Sequence, residues 1–154
     1  PKESYGPEVS DARVRAHWAT WAHPKGEEAI YLSIHSDGGR GRGTTALVAE
    51  SPPKENLRLA NVVRTHIIKE ARHLVPGWID RGTKFATFSE VSLERNPEMP
   101  AVLLEMGFHD NHLDAVHLRS PAFLDHLAAG VVHGVVAWRH GDNGPTMPLV
   151  HPID

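Results

Sequence analysis

The sequence predicts an α/β fold, a mixed and mostly parallel sheet flanked by helices. Three observations predict it. Two short apolar runs, residues 29–35 and 101–108, read as strands buried on both faces. Two long stretches, residues 54–74 and 121–140, repeat apolar residues at helical spacing. Strand-like and helix-like segments alternate in the order α, β, β, α, β, β, α, the pattern of helices layered over a sheet.

The first helix is expected over residues 10–23, with Val14, Trp18 and Trp21 on the face turned to the core. Pro24 and Gly26 end it. A strand follows and ends at His35. Residues 37–43 carry four glycines and read as a flexible rim loop without the spacing of a phosphate-binding loop. Residues 44–49 read as a second strand, broken by Pro52 and Pro53. The helix from Lys54 to about Leu74 shows an apolar stripe of Leu57, Ala60, Val63, Ile67, Ala71 and Leu74. Residues 78–83, including Trp78, read as a loop, and Lys84–Phe88 alternates like a half-buried strand. Pro97 and Pro100 keep the next stretch irregular before the strand over 101–108. A short helix or turn is expected over 110–118. Ser120 as N-cap and Pro121 at the first position start the last helix. Its inward side is expected to carry Leu124, Leu127, Ala128, Val131, Val132, Val135 and Trp138. One domain over 1–140 and an extended tail over 141–154 follow from this pattern.

A chain of 154 residues has the length of a single domain. Sixteen Lys and Arg stand against 19 Asp and Glu, a formal charge of −3, which speaks against a nucleic-acid-binding surface. No apolar run is long enough for a membrane span. The absence of cysteine removes disulfides, thiolate zinc sites and cysteine nucleophiles. Twelve histidines raise the expectation of a metal site. The opening PKESYGPEVS is neither apolar nor signal-like, and the parent protein is expected to continue upstream.

Two polar residues mark the ends of the buried strands. His35 closes AIYLSIH, and Glu105 lies inside VLLEMGF. Ligand sites in open α/β sheets lie at the carboxyl ends of strands, where both residues stand. A carboxylate in so apolar a strand needs a cation, a metal or a proton. Glu105 therefore reads either as a chemical group or as the partner of an arginine such as Arg81 or Arg42. His35 reads either as a ligand or as a hydrogen-bonded core histidine. His109, His112, Asp114 and His117 form a second candidate ligand cluster, which a solvated turn explains equally. His126, His133 and His140 recur every seven residues on one side of the last helix, where surface or half-buried histidines are the plainer reading.

The segments SIHSDG (33–38) and PAVLLEMGF (100–108) resemble the second and last signature segments of the zinc-dependent N-acetylmuramoyl-L-alanine amidases of type 3. The order of elements between them agrees, over about residues 10–140. Residues 78–91, with Phe108-His109-Asp110, are similar to a branch found in large modular envelope or secreted proteins. The resemblance implies a three-layer fold of the amidase/phosphorylase kind, incomplete at its N-terminus. It implies His35 as a zinc ligand and Glu105 as the catalytic glutamate, with Zn²⁺ as cofactor. It implies peptidoglycan as substrate, cut between N-acetylmuramic acid and L-alanine, and a location in the cell envelope, periplasm or outside the cell. Loop 38–43 and turn 109–112 would flank the cleft. The family's other two ligands, a His in a Gly-His-Gly turn and a Glu on the following helix, have no counterpart here. They are expected from an upstream segment; otherwise the domain is a non-catalytic module that binds wall peptide or a partner protein. His17, His23 and Glu27 have no spacing that recommends them as substitutes.

Overall fold

A computed structural model describes residues 11–144; residues 1–10 and the rest of the expected tail lie outside the described residues. The elements are α1 (Asp11–Ala22), β1 (Tyr31–Asp37), β2 (Thr44–Val48), α2 (Lys54–Leu74), β3 (Asp80–Phe85), a 3-10 turn (Ser89–Val91), β4 (Ala101–Phe108), α3 (His112–Leu118) and α4 (Pro121–Arg139). The sheet order is β1-β4-β2-β3. β1 pairs with β4, and β2 with β3, in parallel, while β2 and β4 are antiparallel. The sheet is thus mixed and mostly parallel, as expected.

One face of the sheet carries the main core. Ala46 and Val48 of β2 and Leu104 and Met106 of β4 pack with Leu59, Val63 and Ile67 of α2 and Phe123 and Leu127 of α4. Because strand side chains alternate, Leu103 and Glu105 point to the opposite face. Helices α2 and α4 approach closely because α4 presents glycines at the crossing. A Cβ on Gly130 would lie 2.6 Å from Ile67 Cα, and one on Gly134 2.6 Å from Val63 Cα. Ser120 caps α4 as expected, its hydroxyl accepting the Phe123 N–H at 3.4 Å.

Three expectations are corrected, on α1, on the third strand and on α4. The face of α1 expected inward is solvent-exposed: Val14, Trp18 and Trp21 are 47%, 63% and 81% accessible, and Ala16 is the fully buried residue. Small groups make the contact instead, with Thr20 Oγ1 donating to the Arg95 carbonyl at 3.1 Å. Trp78 lies in a loop but is buried, its indole N–H donating to Thr44 Oγ1 at 2.9 Å and its ring 4.7 Å from that of Phe123. The third strand begins at Asp80 rather than Lys84, pairing from Thr44 onward. Its polar start is held by the fully buried Arg64 of α2, which forms an ion pair with Asp80 and donates to Thr83. On α4, Leu124 and Val132 are exposed, because Phe123, Gly130 and Gly134 occupy the buried side.

Candidate functional site

His35 and Glu105 are register partners across the parallel pair β1 and β4. They therefore share a face, at the carboxyl ends of adjacent strands. The His35 side chain is 29% accessible, and its Nε2 lies 2.9 Å from Ser33 Oγ. A groove of about 610 Å³ at this strand end is lined by Ile34, His35, Ser36, Met106 and Leu124, among others, and not by Glu105, which points to the face opposite Met106.

Glu105 is buried, and its Oε2 has no hydrogen-bond partner among the described residues. The arginines nominated as structural partners are engaged elsewhere. Arg42 forms an ion pair with Asp114 at 3.4 Å, and the Arg81 guanidinium lies over the Phe108 ring at 4.9 Å. The charges that act on Glu105 are negative ones. Burial first, then the carboxylates of Asp37 and Glu90, push its pKa up to about 7. A carboxyl poised near neutrality can both take and return a proton.

Glu90, on the 3-10 turn, is the site residue that sequence reasoning missed. It is 5% exposed. Its Oε1 lies 3.8 Å from His35 Nε2 and 3.9 Å from an Arg15 guanidinium nitrogen. No local signal in FSEV marks it, because its neighbours in space come from α1 and β1.

The glycine loop is anchored, contrary to the flexible rim expected. Asp114, fully buried, accepts the Gly43 N–H at 2.7 Å and the Phe108 N–H at 3.1 Å. Asp110 accepts the Arg40 N–H with both oxygens, at 3.1 and 3.0 Å. Gly41 is needed because a Cβ there would meet the Phe108 ring at 2.5 Å. The candidate cluster after β4 is thereby divided. Asp114 and Asp110 hold the loop, His109 bonds Ser36, His117 packs edge-on against Trp78, and His112 is exposed. On the far side, His126 and His133 each lie 3.2 Å from a Glu70 oxygen, and these bonds, His126's foremost, hold the Glu70 carboxyl below its ordinary range. His23 bonds the Glu27 carbonyl and Glu98.

Among the described residues, no three His, Asp or Glu side chains are placed to hold a metal ion. The donor set at the strand ends nonetheless suits a cation. It combines an accessible imidazole, an orphaned carboxylate oxygen and an excess of negative charge. Of these groups His35 would be the ligand, one of the three protein ligands that hold a catalytic zinc together with a water, while the Glu105 carboxylate would stay free to carry a proton. Among the described residues no helix is long and apolar enough to cross a membrane.

The mixed sheet and the His–Glu pair define an α/β domain with a candidate ligand site at the carboxyl ends of its strands. Residues 9–137 match the N-acetylmuramoyl-L-alanine amidase family, and the chain belongs to it. The chain is similar to the N-acetylmuramoyl-L-alanine amidase CwlM of Bacillus licheniformis, 33% identical over 105 residues, covering 68% of this chain and 38% of that protein. The sporulation-specific N-acetylmuramoyl-L-alanine amidase of Bacillus subtilis strain 168 is 30% identical over 106 residues, with 69% and 38% covered. The chain thus spans 38% of the length of these curated relatives. Its fold is that of the N-acetylmuramoyl-L-alanine amidase from Clostridium difficile 630, with a TM-score of 0.73, 22% identity, and 87% of this chain and 67% of that one covered. Ami1 from Mycobacterium smegmatis superimposes with a TM-score of 0.68 at 24% identity, covering 85% of this chain and 61% of that one.

Proposed function

We propose that this domain hydrolyses the amide between N-acetylmuramic acid and L-alanine in peptidoglycan, with Glu105 as the proton-transfer group and His35 as a zinc ligand. The observation that carries the reading is Glu105 itself: buried, without an arginine partner, and in register with an accessible histidine. Family membership and the names of the relatives support the reaction. Zinc held by His35 and by two donors from an upstream segment of the same protein would supply Lewis-acid polarisation of the scissile carbonyl and acidify a water. Glu105 takes the proton of the attacking water and returns it to the departing L-alanine amine. Its surroundings suit that exchange, because they raise its proton affinity without fixing the proton in a hydrogen bond. The anchored loop 38–43 and turn 109–112 border the strand ends and on this reading would contact glycan or peptide. On this reading residues 1–140 are the C-terminal portion of the catalytic domain, 141–154 a tail, and the protein works in the cell envelope, periplasm or outside the cell.

A second reading is an amidase-like module that binds wall peptide or a partner protein without hydrolysis. The shortage of metal donors among the described residues favours it. The deciding experiment uses the full-length parent protein and its Glu105→Gln variant on purified cell wall. Release of new L-alanine amino termini by the parent, lost by roughly 100-fold or more in the variant with zinc content unchanged, supports the enzyme. No release by the zinc-loaded parent overturns it and leaves the binding module.

A further inference from the structure

We infer that Glu90 is a positioning residue that fixes the tautomer and orientation of the His35 imidazole. His35 Nε2 faces two oxygens, Ser33 Oγ at 2.9 Å and Glu90 Oε1 at 3.8 Å. A serine hydroxyl serves that nitrogen either way, donating to its lone pair or accepting its proton. A carboxylate permits only one arrangement, because it accepts and never donates. A negative oxygen close to Nε2 favours the proton there and leaves the lone pair on Nδ1. Ser33 then accepts the Nε2–H bond.

Glu90 stands where the 3-10 turn packs against α1. Its side chain is 7% accessible, and Arg15 lies 3.9 Å from the same oxygen that faces His35. Arg15 is in turn held by Asp11 at 3.1 Å. Helix α1 thus sets the 3-10 turn, the turn presents the carboxylate, and the carboxylate sets the histidine. Histidines that bind metals commonly donate their other ring N–H to a carboxylate or similar acceptor, which fixes both tautomer and ring orientation. The inference rests on the amidase reading only for what the freed Nδ1 would bind; the tautomer belongs to the metal-free chain.

The test is ¹⁵N NMR of the imidazole nitrogens of the full metal-free chain, at a pH where the ring is neutral, with the His35 signals assigned by their loss in His35→Gln. The expected wild-type result is two widely separated ring resonances, the protonated one being Nε2. Glu90→Gln should move the two resonances toward each other as the second tautomer becomes populated, and Glu90→Asp should restore part of the separation. Ser33→Ala should leave the Nε2–H form dominant, because the carboxylate remains. An unchanged His35 spectrum in a folded Glu90→Gln protein overturns the inference. So does loss of the Nε2–H preference in Ser33→Ala, which would make the serine the determinant. Should Glu90→Gln fail to fold, Glu90→Asp decides, and a His35 spectrum unchanged from the wild type in that variant overturns the inference. None of these readouts requires hydrolysis or bound zinc, so failure of this inference and failure of the amidase reading are separable.

Discussion

Asp114 on α3 accepts the backbone N–H of Gly43 at 2.7 Å, fastening the end of the glycine loop beneath the C-terminus of β4. The same carboxylate also takes the Phe108 N–H. Asp114→Ala strands both buried donors and frees Arg42. The expected cost is about 3–5 kcal/mol, the scale of a buried charged group losing its partners. Asp114→Asn keeps one acceptor oxygen and should cost less. Urea unfolding that shows a lower midpoint at unchanged slope would confirm a loss of stability rather than a change in the denatured state.

Glu105 gives a pH signature. Its folded pKa, about 7, stands above its ordinary 4.5. A raised carboxyl pKa means that the native state binds the proton more tightly than the unfolded chain does. Stability from this group is therefore greatest below pH 4.5 and falls as pH rises through about 7. In the metal-free chain the loss should reach about 1–3 kcal/mol by pH 8. Glu105→Gln mimics the protonated form and should flatten this part of the profile, ending more stable than the parent at pH 8. A variant less stable than the parent at pH 8 would return Glu105 to a structural role.

His35 is partly accessible and, among the described residues, bonds only a serine hydroxyl at normal hydrogen-bond distance. His35→Ala should therefore change the stability of the metal-free chain by less than about 1 kcal/mol. In the full-length parent it should weaken zinc binding by at least about 100-fold, since a ligand is lost rather than merely its outer support. Equilibrium zinc competition with a chelator measures this; unaltered affinity refutes the ligand assignment.

The glycines of α4 make a packing prediction. Gly134→Ala places a methyl where Val63 Cα already stands, 2.6 Å away. The gain in helix propensity, about 1 kcal/mol, is opposed by overpacking of roughly 1–3 kcal/mol against backbone that cannot yield by side-chain rotation. The net expectation is a lower Tm, by about 2–6 °C for a domain of this size. Gly141→Ala meets no atom within 4 Å, but its φ of 92° carries a backbone cost of its own. The informative comparison is therefore Ala128→Gly, at an exposed position of α4. It should cost only the helix propensity, about 1 kcal/mol.

Much of the framework was legible in the sequence because it rests on local chemistry. The apolar runs ending at His35 and spanning Glu105, the periodic stripe of α2 and the Ser120-Pro121 start of α4 each follow from neighbours within a few residues. The placement of one polar group at each of two strand ends was legible for the same reason. The tertiary structure decided what depends on contacts distant in the chain. It decided that α1 turns Trp18 and Trp21 outward, because Ala16 and Thr20 fit more closely against the 3-10 turn and loop than indoles would. It decided that Arg42 and Arg81 leave Glu105 without a cation, and that Asp114 ties down a loop 71 residues away. It also brought Glu90 to His35. Hydrophobic periodicity records which side of an element is apolar, but the partner that a buried charge meets is set by which strands and turns become neighbours in space, and no window along the chain contains both.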